Sequence, residues 1–237
     1  MHFFSLGSGS RGNSAVVESK GCSIMVDAGI AFKPLQRRLS CIGKDLSEIQ
    51  GVLVTHEHTD HIKSLGQIKE IGIPIFASRG TIRAIGIGDI IPTSINGISI
   101  NAIPISHDAA EPVGFSIAAE GKTLAYFTDL GTVTADVQSA SRDTDALVIE
   151  SNHDIDMLID GPYPEDLKQR ILGPKGHLSN IDSAILAKAA YAKKIMLAHL
   201  SETNNREEVA LDTFESILKR RSDILTAKPQ EVSEFKV

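Results

Sequence analysis

Thr55-His56-Glu57-His58-Thr59-Asp60-His61 follows directly on the apolar run Gly51-Val52-Leu53-Val54. The run reads as a short buried strand whose end delivers His56. Two imidazoles at i and i+2 can diverge from an extended loop onto one ion, while Asp60 and His61 turn with the start of the next helix toward a second. Imidazole suits zinc, iron and manganese, and added carboxylate moves the preference toward harder ions. Three more candidate ligands end apolar runs in the same way: His107 after Ser106, Asp129 after Thr128, and His199 after Leu197-Ala198. A ligand placed repeatedly at the end of a buried strand gathers distant residues along one edge of packed sheets. A lone histidine is more often a surface or core residue, and His2 is read that way.

Outward from this string the pattern alternates. Strands are predicted at about 2–6 and 14–19, with a third ending at Val26-Asp27, and the glycine-rich Gly7–Asn13 lies between the first two. A helix is predicted over 31–42 with Pro34 in its first turn, another over 61–71, and a strand at 73–77. A strand at 98–105 precedes a hairpin, 113–119 with 123–128, turning at Glu120-Gly121-Lys122. Helix, strand, helix, strand and helix follow at about 133–141, 145–150, 180–192, 194–198 and 206–220. No linker divides the pattern, so a single α/β domain over residues 1–237 is expected, with helices covering two sheets. A doubly wound parallel sheet is the competing architecture.

The chain has 237 residues, 42% apolar and 23% charged, which excludes wholesale disorder and a fibrous protein. No apolar stretch reaches the ~18 to 20 residues of a membrane span. The opening Met1–Leu6 lacks a basic region and a long apolar segment, so a cytoplasmic protein without membrane attachment is expected. Cys22 and Cys41 are expected to be reduced and partly buried. Lys plus Arg number 24 against 30 Asp plus Glu, a net charge of -6, which removes a globally basic surface but not a local basic rim.

Taken with Val26-Asp27 and with His107, Asp129 and His199 in that order, the string THEHTDH resembles the five-motif signature of the metallo-β-lactamase superfamily. The resemblance implies a four-layer αββα sandwich with a dinuclear site at one edge of the sheets, loaded with two divalent ions, zinc or manganese. It implies that His56, His58 and His107 hold one ion, that Asp60, His61 and His199 hold the other, and that Asp129 bridges them. Asp27 would orient the metal loop without being a ligand. FSLGSGSRGNS (4–14), SHDAAEPVGF (106–115), ESNHD (150–154), GHLSN (176–180) and AHLSETNN (198–205) resemble the YycJ/WalJ branch, 5′-to-3′ exodeoxyribonucleases acting on double-stranded DNA. The five metal motifs are shared by thiolesterases, lactamases and nucleases, so the flanking strings alone point to the branch.

The expected reaction is phosphodiester hydrolysis by a hydroxide bound at a dinuclear centre. Asp60 and His177 are the catalytic candidates. Ser179 with Asp182 three residues on resembles a capping box, which sets His177 just before a helix whose amides can face an anion, for phosphate binding or proton donation to the leaving group. Further substrate-binding candidates are Ser10 and Asn13 in the glycine-rich loop, a phosphate nest without the lysine of a P-loop. Asn152, Ser179, Ser201 and Asn204 complete the set, and Asn205 with Glu208 reads as another helix cap. Of three basic clusters, Lys33/Arg37/Arg38, Lys168/Arg170/Lys175 and Lys219/Arg220/Arg221, only the middle one falls near the site. Aromatics make up 5% of the chain and tryptophan is absent, which disfavours stacking on loose bases and favours phosphate contacts along a duplex. The alternatives are a phosphodiesterase on a small or cyclic nucleotide, an RNA-processing nuclease of the same fold, or a metal-containing regulatory partner without turnover.

Overall fold

The computed structural model describes residues 1–219 and 222–237. The predicted cluster at Lys219, Arg220 and Arg221 therefore runs outside the described residues. Strands β1 (His2–Gly7), β2 (Ser14–Ser19) and β3 (Cys22–Val26) form an antiparallel meander, which β4 (Ile49–Leu53), β5 (Ile75–Ala77) and β6 (Asp89–Ile90) extend in parallel. The theme then repeats. Strands β7 (Ser94–Ile95), β8 (Ile98–Pro104), β9 (Val113–Ala119) and β10 (Lys122–Phe127) are antiparallel, and β11 (Ala146–Glu150), β12 (Lys194–Ala198) and β13 (Asp223–Thr226) continue in parallel. Strand β14 (Ser233–Lys236) returns to the first sheet and pairs with β1, Phe3 opposite Phe235. The antiparallel halves exclude the doubly wound alternative.

Period-2 alternation assigns each strand's side chains to two cores. On β10, Leu124 and Tyr126 face the other sheet with Phe3, Ile24, Phe115 and Val148. Ala125 and Phe127 face outward, against Val137, Ala187 and Phe214 of helices Ala135–Ser141, Asn180–Ala190 and Glu207–Leu218. On the opposite side, Leu35, Leu39 and Ile68 of helices Phe32–Cys41 and Leu65–Ile71 cover Val16, Met25 and Val52. The result is the expected αββα order of layers. No described helix is long and apolar enough to cross a membrane.

The structure departs from the sequence reading in several places. The helix expected over 61–71 is two pieces, Thr59–Ile62 and Leu65–Ile71, because Ser64 between them is tied back to Ala28 and Ile30. Helices Arg79–Ile85, Ile155–Asp160 and Glu165–Leu172 and strands β6, β7, β13 and β14 were not foreseen. Cys22 is buried as expected, whereas Cys41 is exposed. Asn205 is not a cap: Arg206 occupies that position without a side-chain bond, and the Asn205 amide donates to the carbonyls of Ser151 and Asn152.

Candidate metal centre

Asp27 and four of the expected ligands sit just past the carboxyl ends of strands, while His58, Asp60 and His61 follow in the loop and first helical turn after His56. Asp27 follows β3, His56 follows β4, His107 follows β8, Asp129 follows β10, and His199 follows β12. Asp27, Asp129 and His199 have φ of 58°, 55° and 54°. The left-handed conformation, costly for a side chain other than glycine, turns each sharply off its strand. The metal loop is laced to its neighbours by Asn13 N to Asp60 O at 2.8 Å, Ala28 N to His61 O at 2.8 Å and Gly29 N to Asn13 O at 2.9 Å. This approach requires glycine at 29, since a Cβ there would overlap the Asp60 carbonyl.

Asp27 is wholly buried. Its Oδ1 accepts from the Thr55 amide at 2.8 Å, and its Oδ2 lies 2.8 Å from His61 Nδ1. The same device recurs at three other rings. His56 Nδ1 is 3.0 Å from Thr55 Oγ1, His107 Nδ1 is 3.2 Å from the Gly176 carbonyl, and His199 Nδ1 is 2.8 Å from Glu150 Oε1. Anchoring one ring nitrogen fixes the direction of the other. The Nε2 atoms of His56, His107 and His199 are buried with no hydrogen-bond partner. Such groups are costly to leave bare, and a metal would satisfy them.

Donor atoms of His56, His58 and His107 lie within 4.8 Å of one another, as do those of Asp60, His61 and His199. Asp129 falls within the same distance of His56 and His61, and also groups with Glu150, His177 and His199. The residues thus form two adjacent donor sets of a chemistry that suits divalent metal, three imidazoles in one and two imidazoles with a carboxylate in the other, and Asp129 is within reach of His56 and His61. Without metal, the cluster holds protons in characteristic places. Burial disfavours charge on His61, but Asp129 and Asp27 outweigh it and push the imidazole up to about 10. Burial likewise opposes the charge of Asp129, yet the surrounding imidazoles, His199 and His61 first, hold it well below the usual carboxylate range. For His56, burial dominates and its imidazole is lowered.

Glu150 is the residue that sequence reasoning missed. It ends β11 fully buried; its Oε1 lies 2.7 Å from His177 Nδ1 as well as 2.8 Å from His199 Nδ1. Its Oε2 accepts from the amides of Leu130 and Leu178 at 2.9 and 3.1 Å. Burial would raise its carboxyl, but His177 and His199 hold it down to about 2. The ESNHD string contained it, but a single acidic residue at a strand end carries no signal that it joins two histidines.

A cavity of about 180 Å³ opens beside both ligand sets and is lined by His107, His177 and His199 together with the expected Ser10, Asn152 and Ser201. Arg170, Lys175 and Tyr163 form part of its wall. Other substrate candidates lie elsewhere. Asn13 is buried, with Nδ2 3.1 Å from His61 Nε2. Ser179 caps helix Asn180–Ala190 by accepting from the Asp182 amide. Asn204 is buried outside the lining. The glycine-rich loop is no open nest, because the amides of Ser8, Gly9, Gly12 and Asn13 already donate within the protein. Of the basic clusters, Arg38 is bound to the carbonyls of Leu6 and Pro229.

The sequence profile of the metallo-β-lactamase superfamily matches residues 7–148. The chain belongs to the metallo-β-lactamase superfamily. It is a metal-dependent hydrolase of that superfamily. It is 33% identical to the exodeoxyribonuclease YycJ of Bacillus anthracis, over 93% of this chain and 90% of that protein. It is 34% identical to the exodeoxyribonuclease WalJ of Streptococcus pneumoniae, over 86% of this chain and 83% of that one. Among solved structures, the metallo-β-lactamase fold protein YhfI of Bacillus subtilis superposes with a TM-score of 0.78 at 18% identity, covering 99% of both chains.

Proposed function

We propose that the chain is a dinuclear metal-dependent exodeoxyribonuclease that degrades double-stranded DNA from a 5′ end in the cytoplasm. The observation that carries the reading is the single cavity in which His177, held by Glu150, faces the two ligand sets beside the cationic wall of Arg170 and Lys175. The names of the YycJ and WalJ relatives, exodeoxyribonucleases, support DNA as the substrate, and the 5′ polarity is what the resemblance of the flanking strings implies. Residues 1–237 act as one domain, a reading supported by β14 closing the first sheet beside β1.

Divalent ions bound there, zinc or manganese, would supply an activated water and neutralise phosphate charge. The protein's own residues do the rest. His56, His58 and His107 would hold one ion and Asp60, His61 and His199 the other, with Asp129 available to both. His177, with Nδ1 fixed on Glu150 Oε1, presents its other ring nitrogen to the cavity and gives a proton to the departing oxygen. Its imidazole is raised: burial opposes the charge, and the Glu150 carboxylate overcomes it. Ser10, Asn152 and Ser201 contact the sugar-phosphate backbone at the cavity mouth.

The test is metal-loaded protein against 5′-labelled duplex DNA, single-stranded DNA, RNA and bis-p-nitrophenyl phosphate, with metal content measured alongside. Two ions per chain are expected, with label released as short products at the earliest times. Label kept on progressively shortened strands means the opposite polarity. The small cavity favours a second reading, a small or cyclic nucleotide phosphodiesterase, and rapid turnover of the small ester with intact DNA would select it.

A further inference from the structure

Asp108 follows the ligand His107 and has no part in the site described so far. Its Oδ2 lies 2.6 Å from Arg170 Nη2 and accepts from Arg170 Nε at 2.9 Å. Its Oδ1 lies 3.5 Å from His107 Nε2 and 3.7 Å from His58 Nε2. One carboxylate is thus held between a guanidinium and two imidazole nitrogens of the first ligand set. Asp108 and Arg170 both line the cavity that His177 faces.

We propose that Arg170 binds a phosphate of the nucleic-acid backbone and is stored, before substrate arrives, on Asp108, a placeholder anion that the phosphate displaces. The proposal rests on the nuclease reading above and adds which residue receives the phosphate and what it leaves. Guanidinium presents its N–H donors to carboxylate and phosphate in the same way. The exchange therefore replaces one anion by another and leaves no donor bare. Two anions cannot crowd one guanidinium beside the same imidazoles without repulsion, so an arriving phosphate drives Asp108 aside. The Asp108 side chain is 35% exposed and can turn into water when released. Lys175, on the same wall, forms no ion pair among the described residues and offers the phosphate a second cation. The placeholder sets a threshold: an isolated anion must compete with Asp108 for Arg170, whereas a polymer also held at the ligand sets and at Lys175 displaces it.

A plain strut between the His107 loop and helix Glu165–Leu172 is the competing account. Exposed ion pairs contribute little to stability, and a strut makes loss of either partner act in the same direction. The placeholder makes the two losses act in opposite directions. Arg170→Ala, Asp108→Asn and the double variant, at matched metal content, are therefore compared by calorimetric titration with inorganic phosphate and by KM on duplex DNA. Arg170→Ala is expected to weaken phosphate binding and raise KM roughly tenfold, and Asp108→Asn to strengthen binding and lower KM roughly threefold. In the Arg170→Ala background, Asp108→Asn adds nothing, because its gain passes through Arg170. Weakening by both single variants establishes the strut and overturns the proposal. A gain that persists without Arg170 reduces it to general electrostatics, and no response from either variant removes Arg170 from the phosphate path. Opposite shifts in phosphate binding in a protein that leaves DNA intact keep the placeholder and discard the nuclease reading.

Discussion

His177 and His199 converge on one oxygen of Glu150, although only His199 is among the proposed metal ligands, and this shared acceptor separates two roles that turnover alone would merge. His177→Ala is expected to keep both metals and to lose ~10² to 10⁴-fold in turnover, the usual worth of a general acid. Glu150→Gln acts more widely. A glutamine has one acceptor oxygen where Glu150 uses two, for two rings and two backbone amides, so its NH2 must face donors on one side and the carboxylate charge that anchors the His199 ring is lost. Metal affinity should fall ~10 to 100-fold, as when other groups that orient a ligand are removed. Metal analysis by plasma mass spectrometry beside single-turnover kinetics reads both. A His177→Ala protein short of one metal would make His177 a ligand, and unchanged turnover would return it to the start of a helix.

At the scale of elements, Ser179 stands between two assignments, the cap of helix Asn180–Ala190 and a contact to substrate. Its Oγ accepts from the Asp182 amide at 3.1 Å and donates to Asp182 Oδ2 at 2.7 Å, so the cap commits its one donor. Ser179→Ala should cost about 1 kcal/mol, typical of a lost N-cap, while KM on DNA stays as it was; a raised KM with unchanged urea midpoint would reverse the assignment. The Ser-to-Asp spacing made this cap visible in sequence. Legibility followed the same rule elsewhere. His56, His107, Asp129 and His199 could be found because each follows a short apolar run, and the two-residue alternation of a strand places Tyr126 and Phe127 on opposite faces of β10. Helices Ile155–Asp160 and Glu165–Leu172 were not legible. They are short, each buries a single hydrophobic residue, Leu158 or Ile171, and so offers no apolar stripe. Yet the second carries Arg170 to the cavity. The break at Ser64 was hidden for a different reason, since it depends on Ala28 and Ile30 far back in the chain.

Across the whole molecule, the metal cluster joins the ends of strands from both sheets, so its protonation is linked to global stability. His61 carries its proton up to about 10 in the fold, against an ordinary 6.5, and His199 is raised well above 6.5: burial opposes its charge, and Asp129 foremost overcomes it. A group with a raised folded value contributes stability that is fully present below 6.5 and is lost as pH climbs toward the folded value. Glu150 has the opposite sign. Held at about 2 against an ordinary 4.5, it contributes above 4.5 and fails as pH falls toward 2. Metal-stripped protein should therefore be most stable near pH 5 to 6 and melt progressively lower from 6.5 to 10, each titrating imidazole removing at most about 1.4 kcal/mol per pH unit. Loaded protein should not follow, because ligation requires those imidazoles neutral and metal binding strengthens as they lose their protons. The gap in melting temperature between loaded and chelated protein is expected to widen steadily above pH 6.5. A gap that stays constant to pH 10, with both forms melting in parallel, would mean that the buried His61 and His199 are not the groups whose protons the metals replace.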